Sequence, residues 1–594
     1  MTIIFQVFCA VFSGILSALA IPNELFHFGS AFFAFIALAP LYIAAKSARS
    51  YKACALLFAL DALSCHLLSS YWLANFKDFA AFTLGASAFG TACIEAMAGC
   101  LFFFPFAKAE SRRARGLKGG ALDGAAVFWG KDRLFLEPYR ILHFAAVRVV
   151  YEWAKSTGFL AYPWGVLSMA AFDNKILLQS ADIFGAYGLT FLMAFCAGVL
   201  GEFILLFKKE AVWLEFHRQN AKNALICNAK CFVLLLLCAS CYGIFRLAEN
   251  SPAQKSLNVA LIQQNADPWA ASGDKESIKI SMELSEKAVK DFEERGLETD
   301  LVVWSEAVLR YAFPNSLKFY SDFPDEEPLI SFIRRIYSNF VIGGPYSIDE
   351  ESRKFANAAL LFDRTGFLRG WYGKNHLVPF AEVVPGVEYP LVRKWMRKIA
   401  GFSNGWTANG TYTLFELEGQ SLVEKPAVRV IKMSGMSDSE SKRIPVRIAV
   451  PICFEDAFPD ICGPFHDAGA ELFINITDDS WSKTKSAEYQ HFAVAVFRTV
   501  EYRTSMVRAT NAGVTAVVDN KGRVLESIPL FEKGWLAAQV PIYARKDTVH
   551  SRFTNWLPYS LLSLLALLAA LKAWELRPAS LRERIQEELA KIEL

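Results

Sequence analysis

The sequence predicts a multi-pass α-helical membrane domain joined to an α/β domain outside the cytoplasm. Of its 594 residues, 54% are hydrophobic and only 20% are charged, which is too apolar for an ordinary soluble protein. The excess is uneven, because residues 1–246 and 556–573 hold long uncharged runs, whereas 247–550 has the mixed composition of a soluble domain. We therefore expect a transmembrane domain at 1–246, an extracytoplasmic domain at 247–550, and a last span with a cytoplasmic tail at 551–594.

About eight apolar segments have the length of about 20 residues that is needed to cross a bilayer. They are Ile3–Ile21, Phe28–Ala45, Ala53–Leu73, Phe79–Phe106, Ile141–Leu160, Ile183–Phe207, Ala224–Phe245 and Trp556–Trp574. The third contains Asp61 and His66, and the fifth contains Arg148, Glu152 and Lys155. Ionisable groups in a membrane span usually face the protein interior or a polar cavity, so these side chains are expected to point inward.

Lysine and arginine in the loops between spans predict the orientation. The loops that follow the second, fourth and sixth spans are basic, whereas "PNELFHF" has no Lys or Arg and 161–178 has only Lys175. Because cytoplasmic loops are enriched in these residues, both ends of the chain are expected in the cytoplasm. Seven spans before residue 247 then place 247–550 outside. The first span lacks a basic leader and is followed directly by another, so no cleavable signal is predicted.

Composition also argues against two kinds of function. The formal net charge is only +3, and no basic stripe is interleaved with aromatic residues, so nucleic-acid binding is not expected. Ten of the 12 cysteines lie in or near the predicted spans, and the eight histidines show no zinc-ligand spacing. No metal site is therefore predicted.

Within 247–550, strand patterns alternate with helical ones, which favours an α/β domain with its sheets covered by helices. Strands are predicted at 256–265, 300–307, 340–348, 355–366, 446–456 and 470–481, with two more in 505–528 around a turn at 520–522. Helices are predicted at 278–296, 328–340 and 487–504.

Three reactive side chains lie at or just after the ends of predicted strands, where α/β folds collect their sites. Glu306 ends "LVVWSE", Lys374 lies in "GWYGKNHLVPFAE", and Cys453 ends "IAVPIC". A carboxylate can take the thiol proton, and an ammonium can hold the thiolate and then a tetrahedral oxyanion. The backbone N–H of Phe454 would be a second oxyanion donor.

Spacing alone leaves three interpretations of Cys453 open. Free cysteine is among the most buried residue types, so Cys453 is compatible with a small core residue. An oxidising compartment favours a disulfide with Cys462, the other cysteine of the soluble domain. The third interpretation is a nucleophile.

Longer motifs favour one of these three interpretations of Cys453, the nucleophile. "WSEA" resembles a W-P-E motif, "YGKNHLVPFAEVVP" a Y-x-K-x-H-L-V-P-F-G-E-x-x-P motif, and "PICFED" an I-C-Y-E motif. "NITDDSW" and the "QHFAVAVFRTVEYRTSMVRATNAG" region resemble two further motifs of the same proteins. Together they resemble the nitrilase (carbon–nitrogen hydrolase) superfamily, and most closely its membrane-bound branch, the apolipoprotein N-acyltransferases. The resemblance covers essentially the whole chain, including seven spans, the extracytoplasmic domain and one last span.

The resemblance implies a nitrilase-like α-β-β-α sandwich and assigns roles by position. Cys453 would be the nucleophile, Glu306 the general base and later the acid, and Lys374 the oxyanion stabiliser. Glu382 would position Lys374 or the incoming amine. Glu455 would support the site, or would simply pair with an arginine such as Arg508.

Four positions depart from the family's pattern, of which two are Ser305 in place of the proline of W-P-E and Ala381 in place of the glycine of P-F-G-E. Phe454 stands where the family often has tyrosine, so it keeps the ring and loses any hydrogen bond from the hydroxyl. In "QQNADPW" the candidate pocket residue Trp269 sits closer to Asn265 than is usual in the family.

Between Glu382 and Tyr412, aromatic residues are interleaved with Lys and Arg, which suits a membrane-interface segment that binds lipid. The candidate lipid-binding residues are Trp395, Phe402 and Trp406. Glycines at 386, 401, 405 and 410 would let the segment move as a lid. The alternative is an ordinary loop that covers a core.

The resemblance implies an inner-membrane acyltransferase whose catalytic domain is periplasmic. It would pass an acyl chain from a phospholipid, typically phosphatidylethanolamine, to Cys453 and then to the α-amine of the diacylglyceryl-cysteine of an apolipoprotein. No cofactor is implied, and a monomer is expected. One alternative is a membrane-tethered amidase or nitrilase, although a hydrolase of soluble substrates needs at most one anchor. Another is a transporter or receptor with a degenerate domain, which the intact triad argues against.

Overall fold

The computed structural model describes residues 1–76, 80–106, 137–208, 215–267, 274–351, 353–383, 386, 389–394, 405–422 and 443–575. The basic loop predicted after the fourth span lies almost entirely outside these residues.

The N-terminal part of the chain is helical. Its helices are Ile3–Ala20, Ala31–Ile36, Ala39–Lys46, Tyr51–Ser69, Ala80–Phe103, Arg140–Lys155, Lys175–Leu178, Ala181–Phe184, Ala186–Lys208 and Glu215–Ala248. Among the described residues, six segments are long and apolar enough to cross a membrane: Ile3–Ala20, Tyr51–Ser69, Thr83–Phe106, Ala186–Phe207, Gln219–Ala248 and Trp556–Trp574. They coincide with six of the predicted spans, so the chain has the predicted membrane-spanning character.

The other two predicted spans have a different character. The second is two short helices that together form one apolar stretch, Ala31–Lys46. The fifth is the helix Arg140–Lys155, which has 16 residues, fewer than a bilayer-spanning helix needs, and carries Arg148, Glu152 and Lys155. Its Arg148 is buried against three carboxylates, those of Asp61, Glu95 and Glu152. The inward orientation of the charged residues is thus confirmed, whereas the number of spans stays a prediction.

The remainder of the chain, before the last helix, forms an α/β domain, and its described residues contain 12 strands. The strands are β1 (Ala253–Gln263), β2 (Leu301–Val303), β3 (Asn339–Asp349), β4 (Lys354–Phe362), β5 (Leu368–Gly373), β6 (Leu414–Ser421), β7 (Arg443–Ala449), β8 (Leu472–Thr477), β9 (Ser505–Thr510), β10 (Ala516–Val518), β11 (Val524–Ser527) and β12 (Gly534–Tyr543). Its helices are Asp274–Glu294, Leu317–Asp322, Leu329–Ile336, Pro459–Asp467 and Lys485–Glu501, and Val549–Arg552 leads to the last helix, Trp556–Glu575. The region 505–528 holds three strands instead of the predicted two, because the chain also turns between β9 and β10.

The strands form two halves that face each other. One half runs β12-β1-β2-β3-β4-β5 and the other β6-β7-β8-β9-β10-β11, and β6 joins β1 only where Lys255 and Ser256 meet Gln420 and Ser421. Alternate side chains of β1 point to opposite faces of the sheet, as the pleat of a strand requires, and so pack in different layers of the domain. Leu257, Val259 and Leu261 belong to the core shared with β7 and β8, whereas Ala260 and Ile262 pack toward the helix Asp274–Glu294. The predicted α-β-β-α sandwich is therefore confirmed.

One helix, Lys485–Glu501, runs along the boundary with the N-terminal helices, and we name it the interface helix. Near its start, Gln490 Nε2 donates to the carbonyl oxygens of Pro22 and Ser69, each at 2.9 Å. At its end, Glu501 accepts a hydrogen bond of 3.2 Å from the N–H of Ala186. The buried apolar residues of both parts form one continuous cluster, so the α/β domain is seated directly on the membrane helices.

Candidate active site

The three predicted reactive residues meet at one end of the sandwich. Glu306 follows β2 by three residues, Lys374 directly follows β5, and Cys453 follows β7 by four. Lys374 Nζ lies 3.3 Å from Glu306 Oε1 and 5.4 Å from the ring centroid of Phe454, the neighbour of Cys453. The prediction that strand ends bring these side chains together is confirmed.

Cys453 begins a short 3₁₀ helix, Cys453–Ala457, in a backbone conformation that is uncommon for a non-glycine residue. Its φ is +54°, in the left-handed region. The side chain of Asn475 stabilises this turn, because Nδ2 donates to the carbonyl oxygens of Cys453 at 2.8 Å and of Pro451 at 3.1 Å. Strained conformations of this kind cluster at active sites.

The sulfur of Cys453 is a free thiol, and the disulfide interpretation is wrong. Cys462 is also unpaired and is fully buried in the helix Pro459–Asp467. Cys453 itself packs against the core but remains partly exposed, unlike the fully buried Cys462.

Lys374 is held by two carboxylates in a small buried network. Nζ donates to Glu382 Oε1 at 3.0 Å and to Glu306 Oε1 at 3.3 Å. Asn357, on β4, donates to the same two carboxylates, at 2.7 Å to Glu306 and 3.0 Å to Glu382. The second oxygen of each carboxylate accepts a backbone N–H, from Asp478 for Glu306 and from Val378 for Glu382. Both carboxylates are therefore fixed in place.

The electrostatics of the network keep the resting thiol protonated. Burial and the Glu306 carboxylate raise the pKa of the Cys453 thiol well above its ordinary value, although the Lys374 ammonium opposes them. Burial alone lowers the pKa of Lys374, but the negative charges of a Cys453 thiolate and of the Glu306 and Glu382 carboxylates outweigh burial and raise that pKa well above its ordinary value. The lysine therefore stays cationic, and a thiolate forms only when a neighbouring base takes its proton.

Glycine at position 343 allows β3 to approach Glu306 closely. A Cβ at Gly343 would lie 2.4 Å from the carbonyl oxygen of Ser305 and 2.6 Å from Cα of Glu306. Any side chain there would displace the backbone of Ser305 and Glu306.

Glu455 is a buried anchor of two loops. Its Oε1 accepts from the N–H groups of Asn375 at 2.7 Å and His376 at 3.0 Å, and its Oε2 accepts from Ile452 at 2.8 Å. The hydroxyl of Tyr372 contacts both oxygens. Burial nevertheless raises the pKa of Glu455 to about 7, against the effect of these N–H groups. The carboxylate thus ties the loop after Lys374 to the turn that carries Cys453.

The alternative pairing of Glu455 with Arg508 is wrong. Arg508 pairs with the next residue, Asp456, which also accepts from His491 Nε2 at 2.9 Å. His491 Nδ1 contacts Asp479, and although burial lowers the pKa of His491, the two aspartates raise it to about 9. These buried ion pairs connect the turn that carries Cys453 to the interface helix and to β9.

Phe454 connects the site to the membrane helices. Its ring stacks on Trp164, from the loop after Arg140–Lys155, with centroids 6.0 Å apart at 25°. It also contacts His376 and Phe458 edge-on. Phe454 keeps the aromatic ring of the tyrosine that is common in the family, and it is this ring that makes the packing contacts.

The candidate lipid-binding residues have mixed outcomes. Trp269, Trp395 and Phe402 lie outside the described residues. Trp406 is partly buried, and its backbone N–H donates to the carbonyl oxygen of Glu382 at 2.8 Å. The segment around Trp406 is thus hydrogen-bonded to the turn that carries Glu382.

Sequence reasoning missed Asn357 and Trp164. An asparagine inside the apolar strand "FANAALLF" was a usable signal, because a buried amide must find hydrogen-bond partners. Trp164 gave no such signal, since tryptophan is common near membrane boundaries.

A thiol, a fixed carboxylate and a buried ammonium lie together here. These are the types of group that acyl transfer uses as nucleophile, base and oxyanion stabiliser.

Comparison with known proteins agrees with the fold and the motifs. Residues 13–199 match the apolipoprotein N-acyltransferase N-terminal domain, and residues 258–547 match the carbon–nitrogen hydrolase family. The chain is 38% identical over 560 residues to apolipoprotein N-acyltransferase 2 of Treponema denticola, covering 94% of this chain and 96% of that protein. It is 34% identical over 567 residues to apolipoprotein N-acyltransferase 2 of Treponema pallidum, covering 92% of this chain and 91% of that protein.

A solved structure that resembles the chain is a branch 10 member of the nitrilase superfamily from Saccharomyces cerevisiae. The two are 16% identical with a TM-score of 0.32, covering 50% of this chain and 93% of that one. The two relatives and the two family matches together span the membrane helices and the α/β domain. The chain therefore belongs to the apolipoprotein N-acyltransferase family.

Proposed function

We propose that this enzyme transfers an acyl chain from a phospholipid to the α-amine of the diacylglyceryl-cysteine at the N-terminus of an apolipoprotein. The observation that carries the proposal is the buried Lys374 side chain, which two fixed carboxylates hold 5.4 Å from the ring centroid of Phe454, the neighbour of the free thiol Cys453. Membership in the family supports the same reaction.

In the first half-reaction, Glu306 takes the proton of the Cys453 thiol, and the thiolate attacks the ester carbonyl of the phospholipid. Lys374 and the N–H of Phe454 stabilise the oxyanion that forms. The carbon–oxygen bond then breaks, and the leaving lysophospholipid hydroxyl takes the proton from Glu306. The product is an acyl thioester on Cys453.

In the second half-reaction, the α-amine of the apolipoprotein attacks the thioester carbonyl. Glu306 takes a proton from the attacking nitrogen, and the same two donors hold the second oxyanion. The carbon–sulfur bond breaks, and Glu306 returns the proton to the sulfur. The amide leaves, so the reaction is ping-pong and consumes no cofactor.

The contact between Phe454 and Trp164 supports a substrate that arrives from the membrane. Through it, the turn that carries Cys453 packs directly on the loop after Arg140–Lys155. Both proposed substrates are anchored in a bilayer by their acyl chains, so they would reach the thiol from the side. A hydrolase of small soluble amides would have no use for this arrangement.

The proposal predicts a covalent acyl-enzyme. Purified protein incubated with phosphatidylethanolamine alone should gain the mass of one acyl chain on the peptide that contains Cys453. Neutral hydroxylamine should remove that mass, because it cleaves thioesters, and a synthetic diacylated lipopeptide should discharge it as an N-acylated product. An adduct that a short soluble amine or water discharges as fast as the lipopeptide would contradict the transferase assignment.

The predicted orientation has its own test. We propose that the α/β domain is periplasmic and that both termini are cytoplasmic. An alkaline phosphatase reporter fused near Lys521 should be active, whereas one fused near Lys118 should be inactive, because that enzyme folds only in an oxidising compartment. A green fluorescent protein fused at the same two positions should give the opposite pair, and a reversed result with both reporters would refute the orientation.

A further inference from the structure

A cationic cavity lies at the far end of the interface helix from the catalytic centre. It has a volume of about 210 Å³ and is lined by parts of three segments, 246–254, 503–521 and 543–546. His491 lies near the catalytic end of the interface helix and Glu501 at the other end, about 15 Å away at the rise of an α-helix. The cavity is therefore separate from the site at Cys453, and we name it the basic cavity.

The basic cavity contains more positive than negative charge. Arg246, Arg503, Lys521 and Lys546 line it together with a single carboxylate, Glu249. Glu249 is shared by Arg246 and by Lys546, the latter at 2.8 Å. Just behind the cavity wall, Asp182 is shared by Arg246 at 3.3 Å and by Arg503.

Two carboxylates thus pair with three of the four cations, and the four positive charges exceed the two negative ones by two. The nearby Asp519 does not change this balance, because it pairs with Arg523 at 2.6 Å.

Lys521 is the cation with the least compensation. Its ammonium donates to the carbonyl oxygens of Leu247 at 3.0 Å and Glu249 at 2.7 Å. Among the residues that the structure describes, no carboxylate lies within 4 Å of it. Burial accordingly lowers the pKa of Lys521. An anion in the cavity would supply the missing charge.

The position of the cavity indicates where that anion comes from. Arg246 is in the last turn of Glu215–Ala248, a helix apolar enough to cross a membrane. Immediately before it, Ile244 and Phe245 are 56% and 66% exposed, so a lipid-facing apolar surface ends where the cavity begins. Phospholipid phosphates lie at this boundary in either leaflet, and Lys and Arg side chains bind phosphate through charge-assisted hydrogen bonds.

We propose that the basic cavity binds a phosphate group, and specifically the headgroup phosphate of an anionic phospholipid. Arg246 and Lys546 would donate charge-assisted hydrogen bonds to its oxygens, with Lys521 behind them. The lipid would then join the end of Glu215–Ala248 to the start and end of the α/β domain. The proposal does not depend on the acyl-transfer mechanism, since the cavity shares no residue with the triad.

The test compares binding of defined probes to the full-length chain in detergent by native mass spectrometry. The probes are phosphatidylglycerol, phosphatidylcholine and glycerol 3-phosphate. Lys546→Gln should weaken binding of phosphatidylglycerol about tenfold, and Lys521→Gln with Lys546→Gln about a hundredfold, as expected when charge-assisted contacts are lost. Phosphatidylcholine should bind weakly to every variant.

The matched control removes two lysines from the exposed side of the helix Asp274–Glu294. Lys279→Gln with Lys287→Gln changes the net charge equally, and both lysines are exposed and paired with a glutamate, as Lys546 is. This control should bind phosphatidylglycerol like the wild type. If the control lost as much phosphatidylglycerol binding as the cavity variants, the loss would be due to surface charge alone and the proposal would be overturned. Unchanged phosphatidylglycerol binding in the cavity variants would also overturn it.

Two further results are informative. Saturable binding of glycerol 3-phosphate that depends on Lys546, with no such dependence for phosphatidylglycerol, would show that the cavity binds phosphate and would overturn a lipid as its source.

Lys521 also caps carbonyls at the end of a helix, so its variant has a structural cost. If the double variant does not fold, Lys546→Gln alone decides the test, because Lys546 is half exposed and makes only a surface ion pair.

Discussion

Replacing Cys453 with serine should abolish both the acyl adduct and transfer to a lipopeptide while the protein still inserts and folds. Serine keeps the size of the side chain, but its hydroxyl is a far weaker nucleophile, and this site is organised around a thiolate beside Lys374. Mass spectrometry of the variant after incubation with phospholipid measures the first loss, and an assay with a diacylated lipopeptide measures the second.

The chain offers a matched control in the same domain. Cys462 is a fully buried free thiol with no role in the proposed mechanism. Cys462→Ser should lower stability by about 1–3 kcal/mol, the cost of burying an unpaired hydroxyl, and should keep acyl transfer. If Cys453→Ser behaved like this control, with near-normal transfer, Cys453 would be a packing residue and the proposed mechanism would be wrong.

The second large effect separates the two carboxylates that hold Lys374. Glu306→Gln should block formation of the thioester, lowering its rate by ~10²–10⁴, because the amide cannot take the thiol proton. Glu382→Gln leaves Glu306 beside Lys374, so acylation should continue while transfer to the amine slows more strongly. Single-turnover acylation and discharge, followed separately by mass spectrometry, measure the two steps.

Both variants keep the shape of the side chain, and each leaves one carboxylate for the buried ammonium. Melting temperatures in detergent should confirm that any difference between them is catalytic. Equal accumulation of acyl-enzyme in the wild type and in Glu306→Gln would remove Glu306 from the role of general base.

Much of the site could be predicted because local sequence determines where strands end. An apolar run followed by Glu306 or by Cys453 places the reactive side chain at the edge of a sheet, whatever the rest of the fold does. The same reasoning predicted that the charged residues of the fifth apolar segment point inward, since charge in a membrane span needs a protein partner.

What escaped prediction depends on register and on turn geometry. Asn357 reaches Glu306 and Glu382 because β3 and β4 pair with Pro345 opposite Asn357, and sequence does not give that register. Glu455 and Asp456 are adjacent acids with different partners because successive residues of a 3₁₀ helix point about 120° apart. Which of the two would face Arg508 could be known only once the turn was known to be 3₁₀.

The pairing of the first and last strands affects how the enzyme is assembled. β1 pairs antiparallel with β12 from Ala253–Tyr543 to Gln263–Gly534, so the domain is closed by its two ends. During synthesis, β1 remains an open edge until β12 has been made, and contacts between such distant segments form slowly because a long loop must first be closed. Cys453, Glu306 and Lys374 are all synthesised before that closing strand. Completion of the scaffold is therefore a late event in biosynthesis, and the nascent chain carries its reactive groups before the sandwich that aligns them is closed.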